Sequence, residues 1–166
     1  MGPRDVRLPV VLSCALAVAG HAQGTHSVPS LAGIPGVEVV VEELNPGLRQ
    51  LGLSELTLRT DVELRLRRAG IAVVGQAQAC DTLPCVYVHV MATIGSSLSA
   101  YFVHVGLQQM VSLNANPSAT FSVETWHALG RIGLAGRSQL ADRLLDAVRG
   151  EVAQFANAYH NANARN

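Results

Sequence analysis

The chain of 166 residues contains no lysine; all 12 of its basic side chains are arginines, balanced by 12 acids. Without an amine nucleophile, Schiff-base and pyridoxal-phosphate chemistry are excluded, as is the phosphate-binding loop whose lysine reaches the terminal phosphates of a nucleotide. The basic stripe that binds phosphate backbones is also missing, because acids and arginines are interspersed and the net charge is zero. Nucleic acid is therefore not expected as a partner. There is no Gly-x-Ser-x-Gly elbow for acyl transfer, no pair of cysteines two residues apart, and no internal repeat. No motif requires a cofactor, and none is expected. What remains is 49% apolar and 14% charged, a folding composition, with a length suited to one domain and its own core.

Residues 1–22 read as a secretory signal. Arg4 and Arg7 lie in a short charged start, Leu8 to Gly20 form an apolar run of 13 residues, and Gly20-His21-Ala22 offers small residues for cleavage. The run is shorter than the roughly 20 residues that cross a bilayer, so no transmembrane helix is expected after cleavage. Loss of Arg4, Arg7 and Asp5 leaves ten arginines against eleven acids. Val11-Leu12-Ser13-Cys14 loosely resembles the box before a lipidated cysteine, but the apolar run continues through Ala15 to Gly20, which argues against an anchor at Cys14. Cys80 and Cys85 then remain as an even pair in an exported chain, the arithmetic of a disulfide. Closing so small a loop stabilises by about 2 kcal/mol in chain-entropy terms. A periplasmic or secreted location follows from both features.

Gln23 to Pro35 are rich in Gly, Ser, Pro and Thr, and residues 23–36 read as a flexible leader. Val37 to Glu43 alternate as a first strand, ended by the turn chemistry of Asn45-Pro46-Gly47. Ser54 to Gly70 fits strand alternation through Leu56, Leu58, Thr60 and Val62, and also a helical face through Leu58, Val62, Leu66 and Ala69. Ser54 as an amino-terminal cap, Arg65, Arg67 and Arg68 at the carboxyl end, and Gly70 as the terminator favour the helix. Ile71 to Val74 supply a second strand. Val86 to Ile94 and Tyr101 to Leu113 alternate around Gly95-Ser96-Ser97 as a long hairpin, and Ala119 to Leu129 form a further strand. Gly130, Gly133 and Gly136 mark a loop, and Ser138 to Tyr159 carry the wide apolar stripe of a closing helix. Residues 161–166 are expected to fray. The order β-α-β-β-β-β-α over residues 37–160 describes one α+β domain, a two-layer sandwich whose mainly antiparallel sheet of about five strands carries two helices on one face.

The run Gly52-Leu53-Ser54, then Leu58 to Arg67 and Ala69-Gly70-Ile71, resembles a pattern recurring in uncharacterised exported bacterial proteins. Thr125-Trp126 before a glycine-containing loop and Phe155 to Tyr159 on the last helix look similar too. These are packing and capping residues, so the resemblance implies a fold and no catalytic assignment. The element order is also similar to small α+β domains of bacterial envelope assembly proteins, such as the amino-terminal domain of TolB, a fold-level likeness.

Hairpin parity carries the functional expectation. If the aliphatic set faces the helices, Tyr87, His89, Met91, Phe102, His104 and Met110 share the other face, and a turn over Gly95 to Leu98 places His89 opposite His104. Glu124 and Trp126, alternating away from Phe121 and Val123, join that face. Tyr87, Met91, Phe102, Met110 and Trp126 then form an apolar patch for another envelope protein or a second copy of the chain. His89, His104 and Glu124 are the weaker candidates for a metal, since imidazole and carboxylate suit transition ions while their spacing is not that of a known site. Arg131 and Arg137 before the last helix are candidates for an anion, against the plainer reading of a flexible connection. Glu38, Glu42 and Glu43 read as a solvated edge. The favoured function is a non-enzymatic interaction module of the envelope. The alternative is a small metal-dependent enzyme or hydrolase using His89, His104 and Glu124.

Overall fold

A computed structural model describes residues 28–75, 80 and 84–164. The signal at 1–22, Cys14, and the start of the leader lie outside the described residues. The chain folds as an α+β structure with an open, mixed sheet of five strands: β1 (Glu38–Val41), β2 (Cys85–Thr93), β3 (Leu98–Leu113), β4 (Asn116–His127) and β5 (Arg131–Gly136). A short helix α1 (Pro46–Gln50), then α2 (Glu55–Arg68) and α3 (Leu140–Asn163), complete it.

The helix over Ser54 to Gly70 forms for the reasons its ends announce. Ser54 Oγ accepts from Thr57 N at 3.1 Å, and Gly70 takes φ +76°, the left-handed terminating geometry that glycine adopts without strain. Leu58, Val62 and Leu66, one turn apart, are buried. α3 buries Leu144, Val148, Val152 and Phe155 in the same way. Both stripes meet the aliphatic face of the sheet, Val86, Val88 and Val90 of β2 with Val103, Val105 and Leu107 of β3, in one core.

β3, 16 residues long, is the axis of the sheet. β2 pairs with one of its sides from Ala100 to Gln108, and β1 adds to β2 in parallel. Two strands share the other side: β5 along Leu98 to Val103, and β4 along Gly106 to Leu113. Gly130, at φ +75°, turns the chain between them. Past Gln108, the partner of Cys85 at the start of β2, the β3–β4 hairpin continues without β2 beside it, and Met110, Leu113, Phe121 and Val123 are exposed.

Several sequence expectations are corrected. Ile71 to Val74 form no strand; Val37 makes one parallel bridge with Val73 and the chain turns away at Gly75, φ +71°. The fifth strand is instead β5, in the segment expected as a loop. Its glycine at 133 does not break the strand because the ring of Tyr101 lies against it, filling the place of a side chain. The leader packs where it is described: Val28–Leu31 form a 3-10 turn, and Leu31 and Ile34 are buried with the core. Ser30 Oγ donates to Thr125 O at 3.0 Å, and Tyr159 Oη donates to Ile34 O at 2.8 Å. The tail holds through Asn163, whose amide donates to Leu31 O at 3.1 Å and accepts from Gly33 N at 2.9 Å. Two apolar residues and these polar ties offset the entropy that a Gly- and Pro-rich composition makes costly to lose.

Candidate functional site

The face of the sheet away from the helices holds the candidate residues. From Thr82 to Val123 the sequence contains no Asp, Glu, Arg or Lys, so the carboxylates that reach this face come from outside β2 and β3. Glu42 follows β1, and its Oε2 meets His89 Nδ1. Glu124 lies on β4; its Oε2 is 2.7 Å from His104 Nε2 and its Oε1 3.0 Å from His127 Nδ1. Gly106 makes the second arrangement possible, because the Glu124 carboxylate lies where a Cβ at 106 would stand. His89 and His104 are register partners, as the turn length required. The Phe102 ring lies between their rows, 6.1 Å from His89 and 6.2 Å from His104, stacked on the latter. Tyr87 completes the row: burial, and then its hydrogen bond to Glu42, push its phenol above the ordinary value.

These contacts partition the histidines. His89 belongs to Glu42 and His104 to Glu124, so the expected trio of His89, His104 and Glu124 is not one site. No group of three or more His, Cys, Asp or Glu among the described residues is arranged to hold a metal ion. The sequence reading missed Glu42 and His127. Glu42 was assigned to a solvated edge although it sits one step past a strand end, where a side chain can cross to the neighbouring strand. His127 has no sequence signal, since only the β4 register brings it to Glu124. Glu38 too departs from a solvated edge: it is buried on this same face beside Gly75.

The apolar patch is also rebuilt. Trp126 is 6% exposed and lies on the core side, its ring edge-on to Phe155 at 5.2 Å. The cause is a bulge: Leu107 pairs with Trp126 and Gln108 with Glu124, so Thr125 is an extra residue and the facing of β4 inverts across it. Met110 is exposed but stands eight residues along β3 from Phe102, roughly 26 Å away by strand rise. In their place Leu98, Ile132 and Leu134 join Met91 and Phe102, because β5 pairs Ile132 with Phe102 and Leu134 with Ala100. Ile132 is 80% exposed, Leu134 66% and Met91 51%.

A groove of about 540 Å³ runs over this face, lined by Glu42, His89, Met91, Ala100, Phe102 and Ile132 among others. Its wall at Glu42 and Asn45 is fixed from behind. Asn45 caps α1 by accepting from Leu48 N at 3.0 Å and donates to Ala92 O at 2.9 Å. Glu55 at the start of α2 accepts from Leu44 N at 2.8 Å and from Arg49 Nη2 at 2.6 Å. The arginine, and then the Leu44 amide, hold the Glu55 carboxyl down at about 2.

Arg131 and Arg137 do not converge. They stand at opposite ends of β5, and Arg131 Nε faces the buried Glu151 at 3.8 Å. Glu151, hidden in the apolar stripe of α3, also accepts from Gly130 N at 3.0 Å, so a carboxylate of the protein already stands beside this segment. Cys80 and Cys85 are joined, with Cα atoms 5.4 Å apart, and pack with Val40 and Tyr87 at the far end of the open face. No helix among the described residues is long and apolar enough to cross a membrane. No family model matches the chain, and no curated protein matches it either.

Proposed function

We propose that the protein is an exported, non-enzymatic interaction module that binds another protein through the open face of its sheet. One observation carries the reading: Met91, Leu98, Ile132 and Leu134 are exposed together on that face, and Met91 and Ile132 line a groove of mainly apolar surface. Exposed apolar patches of this kind mark partner surfaces. Export is supported by the signal-like residues 1–22 and by the Cys80–Cys85 bridge, which persists in oxidising compartments. A periplasmic setting in envelope assembly or maintenance accords with the loose likeness to domains such as the amino-terminal domain of TolB. The rival, a small metal-dependent enzyme or hydrolase at His89, His104 and Glu124, has less support, because each histidine is engaged by a different carboxylate.

The test is site-specific photo-crosslinking in source cells, with the reactive residue at Ile132 or, as a control, at Leu56 on the exposed side of α2. A discrete adduct from position 132 and none from position 56 supports the reading. Equal labelling from both positions, or none from 132, removes it.

A further inference from the structure

We propose that the partner binds by adding an extended strand to the free edge of β5, and that this strand carries acidic side chains on one face and apolar ones on the other. The inference rests on the open-face reading and specifies its partner.

The first support is the backbone. β4 and β5 lie at the edge of the sheet, and no described strand pairs with their outer side. Ala128 N donates to Val105 O at 2.9 Å, so Val105 turns its polar groups toward β4 and β5, and by alternation Val103, Tyr101 and Ser99 do the same. The opposite parity on β2 agrees, since Val88 O accepts from Glu42 N on the far side. Arg131, Gly133 and Ala135 therefore bond to β3, and Ile132, Leu134 and Gly136 present N–H and C=O groups outward. Such an edge is a template for strand addition unless proline, inward charge or a cover blocks it, and β5 has no proline.

The second support is the chemistry on the two sides of that edge. Toward the open face stand Ile132 and Leu134, the former at the groove rim beside Phe102. Toward the helices stand arginines. The Arg131 guanidinium lies against Gly150 of α3, with Nη2 3.2 Å from where a Cβ would be. Arg143, which shares that helix face with Gly150 by its spacing, and Arg137 beyond the strand end are exposed and have no carboxylate partner among the described residues. An added strand alternates its side chains between the two sides, so acids at alternate positions meet the arginines while apolar residues between them extend the patch. A second copy of this chain fits less well. Antiparallel pairing of two β5 edges about Leu134 sets each Arg131 against an Arg137, and like charges directly opposite destabilise.

The probe is a fluorescent peptide of about seven residues alternating valine and glutamate, compared with one alternating valine and lysine. By anisotropy at low salt, the acidic peptide is expected to bind at least about tenfold more tightly. The double substitution Arg137→Glu and Arg143→Glu, on exposed positions, is expected to abolish that preference. Leu134→Pro removes an outward N–H without touching the β3 ladder and is expected to abolish binding; the same acidic peptide N-methylated at alternate amides gives the matching loss without altering the protein. Equal affinity for the two peptides, undiminished binding of the N-methylated peptide, or no saturable binding up to about 1 mM overturns the inference. If crosslinks from Ile132 persist while the peptide arm fails, strand addition falls and the open-face reading stands; loss of both removes both.

Discussion

His89 and His104 are direct register partners on β2 and β3, yet each is bound to a carboxylate from a different neighbour, Glu42 just past the end of β1 for the first and Glu124 on β4 for the second. Sequence parity placed the imidazoles side by side. The carboxylates engage them separately.

Zinc added in modest excess is therefore expected to raise the melting temperature of the wild type no more than that of His89→Ala. Ligand binding to the folded state alone raises stability with the logarithm of the ligand concentration over its Kd, so a bridging site reads as several degrees lost in the variant. Thermal scans with and without metal make the comparison.

Trp126 and Met110 were expected to behave alike, and the structure separates them. Trp126→Ala empties a core position against Phe155 and is expected to cost about 3–5 kcal/mol, whereas Met110→Ala on the projecting hairpin should stay within about 0.5 kcal/mol. Urea denaturation of both variants measures the difference. Similar small losses would place the indole back at the surface.

Gly106→Ala puts a methyl group where the Glu124 carboxylate lies. The expected loss is about 1–3 kcal/mol, with the ring signals of His104 and His127 shifting together in NMR spectra. Combining it with Glu124→Ala should recover part of the loss, because the clash is with that side chain. Strictly additive losses would contradict the seat.

Acid should weaken the link between β1 and α2. Arg49 and then the Leu44 amide hold the folded Glu55 carboxyl down at about 2, below the ordinary 4.5. Because the folded value lies beneath the unfolded one, its contribution is whole above about pH 4.5 and is lost as pH falls toward about 2. Asp61 is lowered as well: burial opposes the shift, and hydrogen bonds from Arg149 and Arg65 outweigh it. Glu55→Gln is expected to flatten the acid limb of stability against pH, measured by denaturant midpoints. An unchanged limb would show that Glu55 carries none of it.

The legible parts of the chain are those set by local chemistry. The α2 boundaries follow from Ser54 and Gly70, the β2–β3 register from the turn at Gly95 to Leu98, and the bridge from the count of cysteines. Illegible parts depended on partners distant in sequence. β5 looked like a loop because glycines weaken strands when considered alone; beside β3, Tyr101 supplies the missing bulk over Gly133. Glu151 carries no sequence signal of its own, since its burial depends on Gly130 and Arg131, about twenty residues earlier, coming to it. Strict alternation along β4 puts Trp126 on the face of Glu124, and the bulge at Thr125 turns it to the other.

The sequence by itself determined that the chain folds as an α+β domain with an aliphatic sheet face under two helices, because periods of 2 and 3.6 and end-capping residues are properties of short segments. Only the tertiary structure decided which residues the open face displays. A bulge, a filled glycine and two carboxylates reaching in from neighbouring strands are relations between segments, and their energies exist only once those segments meet.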